Sequence, residues 1–372
     1  MPDRLAIIDA DGHVMEPPGM WRRFIEPRWR DRAPGIVPEP SGRSRLATGD
    51  RRSPRADAVS TAMLETFAAN TRRRLAEYQD AGYSAESQVR ALDAGGVAVS
   101  FLYPTQGLYV ASVDDLDPEL AIAICRAYND WLLDFCAYAP DRLRPVGMLT
   151  ALHDPAAAVV ETTRLADRGV AGVFVRPNPV RGRTLGDPAY EPLWAECERR
   201  GLAVGVHEGV GAHLPTVGAD RSRTFFGAHA ASHPMEQMLA LLALIEGGVL
   251  ERHPRLRVAF LEAGCGWLPY WLWRMDEHWE QTRGVAGEPD IPAPPSEYFR
   301  RQCWVSCEPD EPYLAEVVRM IGDDRVVFAS DYPHPDHEWP KTVKAMVAAD
   351  LPETTKRKIL HDNAAALYAV SA

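Results

Sequence analysis

The sequence predicts an α/β fold, a (β/α)8 barrel of the TIM type, and three observations carry that prediction. From Ser84 onward, short apolar runs alternate with helical stretches, the pattern of repeated strand–helix units around a parallel sheet. Predicted helices stop at or near glycine, at Gly95-Gly96, Gly169, Gly201 and Gly247-Gly248, the residue that most readily closes a helix in the left-handed conformation. Most of the predicted strands end in His, Asp, Glu or Arg, and in a parallel barrel those ends form the catalytic rim. A doubly wound open sheet is the alternative, but no glycine-rich phosphate turn follows the first strand.

The first strand runs through Ile7-Ile8-Asp9-Ala10 and breaks into Asp11, His13 and Glu16. Asp11 and His13 stand two apart, so on a strand both side chains leave one face and can grip one ion. Residues 17–80 read as an insertion in a single domain spanning 1–372. Its first half is rich in Pro and Arg (Pro17-Pro18, Arg22-Arg23, Arg28, Arg30, Arg32, Arg51-Arg52, Arg55). A solvated excursion is the simpler reading; a cap whose arginines meet an anionic substrate group is the alternative.

Regular structure then follows in order. Helices are expected at 85–94, 118–138, 156–167, 190–200, 235–245 and 312–321. Strands are expected at 97–102, 144–149, 172–176, 202–207, 257–262, 303–307 and 326–330. A Trp-rich amphipathic stretch covers 267–279, a Pro-rich loop reaches about 295, and helices including 352–372 close the chain.

Composition bounds the function. A net charge of −11 argues against nucleic acid as the main partner. No apolar run approaches the roughly 20 residues of a membrane span, and no signal-peptide pattern opens the chain. The six cysteines lack CxxC spacing and read as reduced core residues of a cytoplasmic protein. Cys303 and Cys307 would share one strand face, a weak case for a thiol metal site.

The strand ends supply the rest: Arg176 after the fourth strand, His207 after the fifth, Glu262 after the sixth, Glu308 after the seventh and Asp331 after the eighth. A lone His on an apolar strand is usually a core residue. Several carboxylates gathered at one rim would repel and be desolvated at a cost of several kcal/mol without a cation, so the pattern points to a divalent metal.

An acidic-x-His after strand one, His207 after strand five and Ser330-Asp331-Tyr332-Pro333-His334 after strand eight resemble the amidohydrolase superfamily. The similar branch is the amidohydrolase-related group that includes decarboxylases of aminocarboxymuconate semialdehyde and resorcylate. The resemblance implies Asp11, His13, His207 and Asp331 as metal ligands, with Asp331 also moving protons. Two departures stand out. Ala263 falls where those decarboxylases carry an acid/base His. Arg176 stands where dinuclear hydrolases place a bridging Lys, and the only lysines are Lys341, Lys344, Lys356 and Lys358. The donor set Asp11, His13, Glu16, His207, His233, Glu262 and Asp331 exceeds what one zinc takes and suits iron or manganese as well. The extra Glu262, the missing His at 263 and the Trp-rich segment resemble a narrower type, the nonheme diiron monooxygenase of platensimycin and platencin biosynthesis.

Two functions follow. The leading expectation is an antibiotic-biosynthesis oxidoreductase, a diiron monooxygenase hydroxylating a large apolar, CoA-linked diterpenoid. It would use O2, two Fe ions and an external electron donor, with Arg176, Trp267, Trp271 and His334 binding substrate. The alternative is a hydrolase or decarboxylase of a carboxylic acid with one Zn or Mn ion and Asp331 as base. Homo-oligomer formation is left open.

Overall fold

Eight parallel strands form the sheet that the sequence predicts. The structure, a computed structural model, describes residues 5–38, 44–52, 69, 72, 76, 78, 80–110, 113–208, 216–218, 221–222, 224–289, 291–308, 310–334 and 339–370. The first strand is β1 (Ile7–His13). The insertion contributes a separate antiparallel sheet of β2 (Gly35–Pro38), β3 (Ser44–Thr48) and β4 (Arg51–Arg52). The barrel continues with β5 (Val97–Tyr103), β6 (Leu143–Met148), β7 (Gly172–Val175), β8 (Ala203–His207), β9 (Arg257–Leu261), β10 (Cys303–Cys307) and β11 (Val326–Phe328). Their order around the sheet is β1-β5-β6-β7-β8-β9-β10-β11. Every residue of β1, β7, β8 and β10 is buried, as expected of parallel strands covered on both faces.

Local chemistry explains where the helices lie. Asp117 and Asp154 cap the helices Pro118–Cys136 and Pro155–Asp167 with their side chains, each followed by Pro at the first helical turn. Helix Glu191–Arg200 closes at Gly201, whose φ of 66° needs no Cβ to be accommodated. The helix expected at 235–245 is longer, Phe225–Glu246, with Pro234 inside it. Pro234 resembles a first-turn signal, but the start is set by Thr224, whose side chain accepts the Gly227 N–H. His229 and His233 therefore lie on a helix, one turn apart.

Within the barrel, Tyr103 fills space left by Gly205, where a Cβ would collide with the Tyr103 hydroxyl. Tyr103 and Tyr368 share a 2.8 Å hydroxyl bond, and Tyr368 also donates to the Ala10 carbonyl at 2.8 Å. The C-terminal helix Asn363–Tyr368 thus plugs the barrel beneath β1.

Arginines of the insertion meet acids of the same chain. Arg28 pairs with Glu119 at 3.1 Å, Arg32 with Asp117 at 3.5 Å and Arg51 with Asp115 at 2.6 Å, which docks the insertion on the head of helix Pro118–Cys136. These pairs are half exposed and each contributes about 1 kcal/mol or less. Arg55 lies outside the described residues. The six cysteines are buried free thiols, and Cys303 and Cys307 bind nothing together that would make a metal site among the described residues. No helix among the described residues is long and apolar enough to cross a membrane.

Candidate metal centre

The end of β1 is built around a slip in register. Asp9 faces Ser100 and Gly12 faces Leu102 on β5, so β1 carries one extra residue there. Such a bulge bends the strand and re-aims a side chain, here Asp11. His13 is fully buried, and its Nδ1 donates to the Pro104 carbonyl at 2.8 Å. A carbonyl only accepts, so Nδ1 carries a proton and Nε2 is the ring atom left facing the centre. That Nε2 lies 3.6 Å from Asp11 Oδ1 and 3.0 Å from Asp331 Oδ1. His207, at the end of β8, brings Nε2 to 3.4 Å from the same Asp11 oxygen and 3.2 Å from Glu262 Oε2.

The two carboxylates from the far strands share a backbone feature. Glu262 and Asp331 both hold φ at 52°, a left-handed conformation that side chains other than glycine seldom adopt and that clusters at functional sites. Asp331 is held by its N–H donating to the Asp11 carbonyl at 3.0 Å. Its side chain meets His334 Nδ1 at 2.6 Å, and His334 Nε2 meets Thr105 Oγ1 at 2.9 Å. Glu262 is held by its N–H donating to Ser306 Oγ at 3.1 Å. The turn behind it is organised by Glu311, which accepts N–H bonds from Cys265, Gly266 and Glu308. Beyond Glu262, a cleft opens between His229, His233, Ala263, Glu308 and Tyr313.

Proton affinities follow from this crowding. Burial alone would lower His13, but the Asp331 carboxylate, with Asp11, pushes it up to about 9, so its surroundings favour a positive charge there. Burial would raise Asp331, yet His334 and His13 hold it well below the usual carboxylate range. Burial, with His229 and His207 nearby, lowers His233 to about 3. His233 is therefore a neutral imidazole, 3.8 Å from Glu262 Oε1.

Several candidate residues have other partners. Glu16 is buried, but its two oxygens accept the N–H groups of Gln106 and Gly107, each at 2.8 Å; it ties the β1 loop to the β5 loop instead of joining the centre. Arg176 is buried against Asp114 at 2.5 Å and the Pro179 carbonyl at 2.7 Å, so its charge is engaged within the chain. Trp267 donates to the Gly264 carbonyl and Trp271 to the Met238 carbonyl, both at 2.9 Å. Both indoles pack against the core, where they fasten a turn and a helix. His334 serves Asp331, as described. Sequence reasoning missed Asp9, Thr105, Glu311 and Gln237. Gln237 clamps the Val206 and Leu261 carbonyls of β8 and β9. Only Asp9 carried a signal, standing two residues before Asp11 just as Asp11 precedes His13.

The donor chemistry fits a divalent cation. Asp11, His13 and His207 each offer a ligand atom within 4.8 Å of the others. Both Asp11 oxygens, His13 Nε2 and both ring nitrogens of His207 are buried without a hydrogen bond. Leaving such groups unsatisfied costs about 1–3 kcal/mol each, more when charged, and a cation removes that cost.

Fold and donor set together define a class: a (β/α)8 barrel with a metal-type cluster at the C-terminal rim of its strands. Residues 8–370 match the Amidohydrolase family, and the chain belongs to it. The chain is 30% identical over 254 residues to the 2-amino-3-carboxymuconate-6-semialdehyde decarboxylase of Dictyostelium discoideum, covering 66% of this chain and 67% of that one. It is 27% identical over 316 residues to the gamma-resorcylate decarboxylase of Rhizobium sp. (strain MTP-10005), covering 79% and 88%. Its fold matches the crystal structure of an amidohydrolase from Mycobacterium avium subsp. paratuberculosis K-10 with a TM-score of 0.80 at 24% identity, covering 98% and 99%.

These findings overturn the expected diiron monooxygenase. The relatives are named as decarboxylases, a redox-neutral class that needs neither O2 nor an electron donor. Iron, oxidoreductase chemistry, antibiotic biosynthesis and a CoA-linked diterpenoid lose their support with it. The count of donors that favoured two metals was inflated by Glu16, which is committed to backbone amides.

Proposed function

We propose that the chain is a metal-dependent decarboxylase of a small aromatic or similarly unsaturated carboxylic acid. One divalent ion would be held by Asp11, His13, His207 and Asp331. The observation that carries this reading is the convergence of buried, hydrogen-bond-free donors on Asp11, His13 and His207; the relatives' reactions supply its direction. The mixed N/O donor set suits zinc or manganese. The chemistry such an ion supplies is Lewis acidity toward the substrate's oxygens.

The chain's own residues do the rest. Loss of CO2 leaves the bonding electron pair on carbon, which must then take up a proton. Ala263 has no proton to give. Asp331 sits at the inner end of a chain through His334 to Thr105, so a proton arriving from His334 has a short path to the reacting carbon. Glu262, between His207 and the neutral His233, walls the opposite side and lines the cleft through which substrate enters.

Purified protein loaded with Mn(II) or Zn(II) is expected to release CO2 from gamma-resorcylate or 2-amino-3-carboxymuconate-6-semialdehyde at equal rates with and without O2. Release from neither acid, or turnover that requires O2, sinks the reading. His334→Ala is expected to lower kcat by about 10²-fold or more, the usual worth of a positioned proton-transfer group, while metal content stays at the wild-type level. A parallel loss of metal would instead make His334 part of the ion's shell.

A further inference from the structure

The barrel closes between β1 and β11, and there the sheet's ladder does not do the closing. β1 pairs with β5 and β11 with β10, and no ladder joins β1 to β11 among the described residues. The links that cross are few. Asp331 N–H donates to the Asp11 carbonyl at 3.0 Å, and His13 N–H to the Tyr332 carbonyl at 2.7 Å. His13 Nε2 also lies 3.0 Å from Asp331 Oδ1, and a further set of links among the described residues converges on one side chain, Asp9, which is 1% exposed.

Asp9 Oδ1 accepts the Ser330 N–H at 2.9 Å and the Asp11 N–H at 3.3 Å. Asp9 Oδ2 accepts the hydroxyls of Ser330 at 2.7 Å and Ser100 at 2.8 Å. One carboxylate thus joins β1, β5 and the turn after β11. Ser330 Oγ also accepts the Tyr332 N–H at 3.1 Å, so the left-handed Asp331 is bracketed by bonds that lead back to Asp9. Gly12 belongs to the same arrangement: a Cβ there would lie 2.6 Å from Asp9 Oδ2 and would also strike Ser100 Oγ.

A buried carboxylate is a costly way to close a barrel, because it must be desolvated and fully bonded. Closure alone would be met by apolar packing. A carboxylate adds direction, since it only accepts and has about four lone-pair sites, each filled here by a donor whose place is thereby fixed. Two of those donors are the backbone of Asp11 and of Ser330, one neighbouring Asp331.

We propose that Asp9 is a positioning residue for the metal centre, setting the spacing between the Asp11/His13 end of β1 and the Asp331 end of β11. The inference rests on the reading that these residues hold an ion. Groups one step behind metal ligands typically change affinity 10–100-fold when removed, and Asp9 is such a group for two strands at once.

The test measures the Mn(II) or Zn(II) dissociation constant by competition with a chromophoric chelator, together with the melting temperature of the metal-free protein. Asp9→Ala is expected to weaken binding by about 10–100-fold. Asp9→Asn, which keeps Oδ1 for the two amides, should recover part of that loss, and Ser330→Ala should weaken binding by less. The control is Asn129→Ala, which cuts a buried link between helix Pro118–Cys136 and the Met148 backbone and should lower the melting temperature with unchanged metal affinity. If Asp9→Ala melts lower but binds the ion as tightly as wild type, Asp9 is only structural and the proposal falls. Should Asp9→Ala not fold, Asp9→Asn and Ser330→Ala decide by the same criterion. Wild-type protein that binds neither ion would overturn the centre itself, and that result is read from the wild-type curve alone.

Discussion

Replacing His13 with Ala is expected to empty the centre. Its Nδ1 is committed to the Pro104 carbonyl, so Nε2 is the atom turned toward Asp11 and Asp331. The ring also packs at 5.0 Å from His207 and 4.0 Å from His334, touching most of the cluster. Without it, two buried carboxylates from β1 and the β11 turn lose the group between them. The loss in metal affinity should exceed the roughly 10–100-fold typical of groups one step removed from the ion, and kcat/KM should fall with it. A ligand present at 100 times its dissociation constant stabilises a protein by about 2.7 kcal/mol. The wild-type melting temperature should therefore rise on adding Mn(II) or Zn(II), and that of His13→Ala should not. Metal content after dialysis gives the direct measurement. A variant that retains a full equivalent of ion would show that His13 is no ligand.

Glu311→Ala is expected to have the largest effect on stability. One carboxylate there satisfies the N–H groups of Cys265, Gly266 and Glu308 and the Cys265 thiol. Each buried donor left unsatisfied costs about 1–3 kcal/mol. Glu311 is only partly buried, so water can reach some of them, and the total should be about 3 kcal/mol. At about 2.1 cal/mol/K of unfolding entropy per residue, 1 kcal/mol corresponds to about 1.3 °C in a chain of 372 residues, which places the expected drop at roughly 4 °C. Glu311→Gln keeps one accepting oxygen and should lose less. The same turn aims Glu262 at the cleft, so the Ala variant should also lower kcat/KM. Scanning calorimetry of the metal-free protein checks the first effect; a melting temperature equal to wild type would show that the turn holds itself.

Much of this protein was legible along the chain. Strands 172–176, 202–207 and 303–307 were expected within a residue or two of β7, β8 and β10, because parallel strands buried on both faces leave continuous apolar runs bounded by turns. The pairing of Asp11 with His13 needs only the two-residue period of a strand. His207, Glu262 and Asp331 could be placed at the same rim once the repeat was counted, since a barrel brings every strand end to one face. What misled the reading was also local. Glu16 looks like a further ligand in the sequence, and the Trp-rich segment looks like a substrate wall.

The amino-acid sequence by itself determined the barrel, the rim and the acidic-x-His pair at its opening, because each depends on periodicity over a few residues. Only the tertiary structure decided which polar groups stay open to an ion and which are already taken. Ser330 reaches Asp9 across 321 residues, His334 reaches Thr105 across 229, and Glu16 is claimed by amides 90 residues away. A side chain's hydrogen-bonding capacity is a property of its residue type, but how that capacity is used depends on the donors that the fold brings to it. The Asp11-His13 pair is a candidate centre because Glu16 and Arg176 found other partners while both Asp11 oxygens did not.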